Sequence, residues 1–149
     1  MDGQIEDAVL LAVTRAIVGV ATAAADELGG VSVVQLRALT VLNELAPASL
    51  GQLAEGVGVT PSTASRLVDR LVSGGYAERR PSAESRRQIE LRLTPEGKAT
   101  LAQYDELRLR RLRAALDRVP QDRRGAVMEA MGEFSGALRP LREPVPAGS

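Results

Sequence analysis

With 149 residues, 44% of them apolar, the chain is long enough for one domain with a real core, and its 26% of charged residues makes it neither disordered nor fibrous. It has no cysteine and no histidine, which removes disulfides, thiolate redox sensing, the usual zinc ligands and the usual general base. Nineteen basic and nineteen acidic residues cancel overall, yet residues 1–59 carry −5, residues 60–98 carry +3 and residues 99–149 carry +2, leaving a basic island in mid-chain.

The first predicted helix runs from about Gln4 to Leu28 and stops at Gly29-Gly30. From Ala8 to Ala25 it is apolar enough to approach a membrane span, but Arg15 and Gly19 interrupt it and much of it is alanine. Asp2, Glu6 and Asp7 give the wrong charge for a signal peptide. The expectation is a soluble helix buried on more than one side, in a cytoplasmic protein.

Ser32-Val33-Val34-Gln35 is a capping-box pattern that opens a second helix with Leu36, Leu39, Leu42 and Leu45, ending before Pro47. Ser49-Leu50-Gly51-Gln52 repeats the pattern and opens a short helix with Leu53, Ala54 and Val57 inward, broken by Gly58. Thr60-Pro61 starts a fourth helix, with Thr60 as cap and proline at the first helical position, running to about Ser73 before Gly74-Gly75.

The period then changes. Ile89, Leu91 and Leu93 alternate with polar residues as a half-buried strand, and Tyr76 to Arg80 is its expected partner across a polar, arginine-bearing tip. Thr94-Pro95-Glu96 begins a long helix reaching about Val119, with a stripe of Leu109, Leu112, Leu116 and Val119. After Pro120, the residues Val127, Met131, Phe134, Leu138 and Leu141 form a heptad-like seam, and Pro144 to Ser149 reads as a frayed tail.

Short helices followed by a β-hairpin give a mainly α chain of the winged helix-turn-helix order. We read one domain, 1–149, with the winged helix at about 32–94, a connecting helix at about 95–119, and dimerisation helices at about 4–28 and 121–141. On a helical wheel, Ala64, Leu67, Val68 and Leu71 share the inner face of residues 61–73. Ser62, Arg66, Asp69 and Ser73 lie opposite, flanked by Ser65 and Arg70, and Asp69 is expected to brace Arg66. Small hydroxyls at the start of this face let a helix approach base edges, where an arginine reads guanine O6 and N7. The candidate DNA contacts are therefore Thr60, Pro61, Ser62, Thr63, Ser65, Arg66 and Arg70. Arg86 and Arg87 at the hairpin tip join them for an adjacent minor groove, with Arg79 and Arg80 at its base for phosphates. No catalytic set, cofactor site or metal site emerges, and no ligand-binding residue can be singled out. The alanine-rich first helix and the last seam are more apolar than a monomer of this size should expose, which points to a homodimer whose two recognition helices would meet successive major grooves. The rival reading is a winged helix that binds protein rather than specific DNA.

These residues resemble the MarR family of bacterial regulators. The resemblance rests on Leu50-Gly51-Gln52-Leu53-Ala54, on Val59-Thr60-Pro61-Ser62-Thr63-Ala64-Ser65-Arg66-Leu67-Val68-Asp69-Arg70-Leu71, on Gly74 and Tyr76, and on Leu93-Thr94-Pro95-Glu96-Gly97. The family's wing signature pairs an aspartate and an arginine ahead of Leu-Thr. Arg87 and Leu93-Thr94 fit its spacing, whereas Ser85 stands at the aspartate position, with Glu84 beside it as a substitute brace. The resemblance implies a two-fold dimer built from the first and last helices and a pseudo-palindromic operator. It also implies repression relieved by a small, often aromatic, acid near the junction of dimer region and wing.

Overall fold

The computed structural model describes residues 2–139; Leu141 of the expected seam and the Pro144–Ser149 tail lie outside them. Six helices and one hairpin follow in the predicted order. They are α1 (Gly3–Leu28), α2 (Val33–Leu45), α3 (Leu50–Val57), α4 (Pro61–Ser73), β1 (Ala77–Pro81), β2 (Ile89–Leu93), α5 (Pro95–Asp117) and α6 (Gln121–Leu138).

The helix starts are set locally. Ser32 and Ser49 each accept from the backbone N–H three residues on, while Gln35 and Gln52 reach back to the cap N–H, so both capping boxes close. Thr60 and Thr94 accept from Thr63 and Gly97 in the same way, each followed by proline. Gly58 ends α3 at φ 84°, a left-handed turn that a side chain resists, and so lets α4 fold back sharply on α3.

The core lies where α2, α3, α4, the hairpin and the first half of α5 meet. Leu36, Leu39, Leu42, Leu53, Val68 and Leu71 are its most deeply buried large side chains. β1 and β2 pair antiparallel, Ala77 opposite Leu93 and Pro81 opposite Ile89. Ala48 adds a bridge to Leu91, exchanging two backbone hydrogen bonds at 3.2 and 2.7 Å, so the segment before α3 serves as a short third edge of the wing sheet. The period-two pattern gives no sign of this edge.

Three burial expectations need correction. Leu45 is 44% exposed, because it sits on the last turn of α2 beyond the reach of α4. Ile89 is 50% exposed, since the hairpin's tip half extends past the core that takes Leu91 and Leu93. The largest difference is α1. By length and composition it could cross a membrane, at mean hydropathy 2.0, but only 11% of its apolar window is buried. Within one chain it is not buried on more than one side. Only Ala24 and Ala25 are buried, near its C-terminal end, where α1 packs on α5. There the Tyr104 hydroxyl donates to Ala21 O at 3.3 Å, and Glu27 receives Arg110 and Arg111. The last turn of the long helix also differs: α5 ends at Asp117, and Arg124 donates to the carbonyls of Val119 and Asp117, closing the bend into α6.

Candidate nucleic-acid interface

The amphipathic pattern of α4 decides what it presents. Ala64, Leu67, Val68 and Leu71 are buried against α3 and the hairpin, so the opposite face must be outward. Pro61, Ser62, Thr63, Arg66, Asp69 and Arg70 are exposed there and Ser65 is half-buried. Thr60 does more than cap. Its hydroxyl lies 3.1 Å from the Ser62 hydroxyl and 3.0 Å from that of Thr63, so three small hydroxyls form one cluster at the helix start. Among the described residues, the side chains of Arg66 and Arg70 have no carboxylate partner. Asp69 does not brace Arg66. It reaches instead to Arg79 on β1, because that guanidinium comes over the C-terminal half of α4 where the hairpin leaves the core.

The wing divides its arginines into two sorts. At the base, Arg79 is held by Asp69 and Arg80 by Glu78 at 2.9 Å. At the tip, the side chains of Arg86 and Arg87 are exposed and, among the described residues, without salt bridges. The tip is shaped by serines. The Ser82 hydroxyl accepts from Glu84 N at 3.2 Å, the Ser85 hydroxyl accepts from Arg87 N at 3.3 Å, and Ser82 N donates to Gln88 O at 2.7 Å. Ser85 thus braces the turn through its own hydroxyl, and the Glu84 carboxylate takes no part among the described residues.

The angle between wing and helix is fixed at the hairpin base. The Thr94 hydroxyl donates to Gly75 O at 2.6 Å while it accepts from Gly97 N, tying the end of α4, the end of β2 and the start of α5 together. Gly97 packs so tightly that a Cβ there would lie 2.0 Å from Tyr76 O. Both residues stand in the Leu93-Thr94-Pro95-Glu96-Gly97 segment, where the sequence alone reveals only a helix start.

Residues 29–88, which run from the turn before α2 to the wing tip, match the sequence model of the MarR family. Over this segment the chain is similar to the MarR family. Similar proteins agree over longer stretches. An uncharacterised HTH-type transcriptional regulator of Bacillus subtilis, YfiV, is 29% identical over 107 residues, spanning 72% of this chain and 67% of the relative. The crystal structure of RV1404 from Mycobacterium tuberculosis superposes with a TM-score of 0.80 at 29% identity, over 92% of this chain and 94% of that one. Streptococcus pneumoniae FabT, solved in complex with DNA, shares the fold at 17% identity and a TM-score of 0.74, over 94% of this chain and 99% of its own. The likeness establishes the winged-helix fold that these regulators share.

On the side of α2 that faces α1 and α5, the chain holds a cavity of about 350 Å³. Val33, Val41 and Leu45 supply its apolar wall; Arg37, Glu44, Tyr104 and Arg108 supply its polar groups. Arg37 Nε donates to Val57 O at 3.1 Å, and Arg108 lies over the Tyr104 ring, 4.3 Å from its centroid, while pairing with Asp105. These residues come from two helices about sixty residues apart in sequence, with Ala21 of α1 completing the wall, and no local pattern could have collected them. Among the described residues, no group of three or more acidic residues could hold a metal ion.

Proposed function

We propose that the protein is a cytoplasmic, sequence-specific regulator that binds a pseudo-palindromic operator as a homodimer and represses the genes beside it. The observation that carries this reading is the outward face of α4. Small hydroxyls occupy its N-terminal end, Arg66 stands one turn on, and a wing carrying Arg86 and Arg87 flanks it, none of the three paired with a carboxylate among the described residues. A helix entering the major groove needs small polar groups at its leading end and a fork of N–H donors for a guanine. A flanking cationic loop suits the minor groove or its phosphates. A winged helix that bound protein would show apolar side chains on this face, and none of the large exposed hydrophobics falls in residues 61–73.

The dimer reading is supported by two apolar surfaces. Ile5, Val9, Val13 and Ile17 on α1, and Met128, Met131, Phe134 and Leu138 on α6, are each 42–56% exposed in the single chain. That is more contiguous apolar surface than a soluble monomer presents. For release, the α1–α2–α5 cavity is at the small end of ligand-site volumes and offers two guanidinium groups and a phenol ring beside apolar walls. A small organic acid, aromatic or aliphatic, fits that chemistry. Glu44 at the rim disfavours a second negative charge.

The test is retention of genomic fragments by the purified protein in excess random duplex, followed by footprinting. The reading expects one protected pseudo-palindrome with half-sites about 10 bp apart. A panel of benzoate-type acids should then raise the melting temperature and loosen the footprint together. Fragments retained without any common site would contradict specific regulation.

A further inference from the structure

The Asp69–Arg79 contact joins the two DNA-facing elements, and nothing in the regulatory reading requires it. Asp69 puts a carboxylate, 62% exposed, onto the face of α4 that is otherwise hydroxyls and arginines. A negative charge on that face opposes a phosphate backbone, so a structural reason for it is needed. Its partner supplies one. The Arg79 stem covers a cavity of about 210 Å³ between α4 and the wing, lined also by Leu50, Ser65, Val68, Ile89 and Leu91. The apolar contact between helix and wing is therefore incomplete beside the hairpin's tip half, where Ile89 is already half out of the core.

Resting on the DNA-binding reading, we propose that Asp69 is a positioning residue that sets sequence specificity. It clasps Arg79, fixes the wing against the recognition helix, and withholds one cation from non-specific phosphate contact. An exposed ion pair of this kind contributes little to stability. Its effect is geometric, because it spans two elements that must meet neighbouring grooves together.

The experiment compares wild type, Asp69→Ala and Asp69→Ala/Arg79→Ala on two probes: the tightest duplex selected from a random pool, and a random duplex of equal length. Asp69→Ala should bind random duplex more tightly at low salt, with a log–log salt slope steeper by about 0.9, the weight of one extra phosphate. Its preference for the selected duplex should fall at least about fivefold, as for one misread base pair. The double variant should recover the wild-type slope but not the preference. In the free protein, amide hydrogen exchange of β1 and β2 should quicken in both variants. An unchanged preference in Asp69→Ala, or weaker binding to random duplex, overturns the proposal. If selection returns no preferred duplex for wild type, the DNA reading itself fails and the specificity role with it. The exchange rates would still report separately whether the clasp holds the wing.

Discussion

Arg66 and Arg87 are both exposed cations without carboxylate partners among the described residues, yet their places in the fold assign them different work. Arg66 projects from a helix whose opposite face is locked by Ala64 and Leu67, so its reach is defined to a base edge. Arg87 stands on a serine-braced turn at the wing tip, where a phosphate or a narrow groove is the natural partner. Arg66→Ala should therefore cost about 1–3 kcal/mol on the selected site and relax preference at one base-pair position. Arg87→Ala should weaken all duplexes alike and flatten the salt slope by about 0.9. Titrations over a salt series separate the two, and an equal loss of specificity from both would contradict the division. Gly97 makes the opposite kind of prediction, one of stability. In a helix, Gly→Ala gains about 1 kcal/mol from propensity. Here the new methyl would meet a backbone carbonyl that cannot move aside, and overpacking costs about 1–3 kcal/mol. The clash should win, lowering the urea midpoint; a raised midpoint would show that the base of the hairpin yields.

At the scale of elements, the helix starts were legible because each is a local matter. A serine, threonine or glutamine three positions from its partner decides the cap, and the two Thr-Pro starts follow the same logic. The inward face of α4 was legible for the same reason, since 100° per residue is a property of the helix alone. What could not be read were contacts closing over long sequence separations. The Ala48 edge on Leu91, the Asp69–Arg79 clasp and the α1–α2–α5 cavity belong to this class. The brace expected between Asp69 and Arg66 failed because a helix neighbour at three positions competes with a strand that only the tertiary fold brings near. The Ala48 edge has its own test. Leu91 is buried and joins β1, β2 and residue 48, so Leu91→Ala should cost about 2–5 kcal/mol in chemical denaturation. Ile89→Ala, on the same face but half exposed towards the hairpin tip, should cost far less. Equal costs would mean that the wing's apolar face is not anchored as described.

For the whole molecule, the same apolar residues explain both what the single chain leaves exposed and how two recognition helices would be spaced. Met131→Glu/Phe134→Glu changes only side chains that are about half exposed, so the winged helix should keep its fold and its helical signal. Sedimentation should show monomer. Losing the second, linked half-site should weaken binding to a full operator by about 10²–10⁴-fold while leaving half-site affinity intact. A variant that stays dimeric would move the interface away from α6.

The most direct measurement is the dissociation constant for the footprinted site and for random duplex of equal length, each followed from about 50 to 200 mM salt. The account predicts two salt-dependent lines held apart by about 10³-fold or more in affinity, with the gap persisting as salt rises. Two superimposed lines, however steep, would show a cationic surface without a reading head and would contradict it.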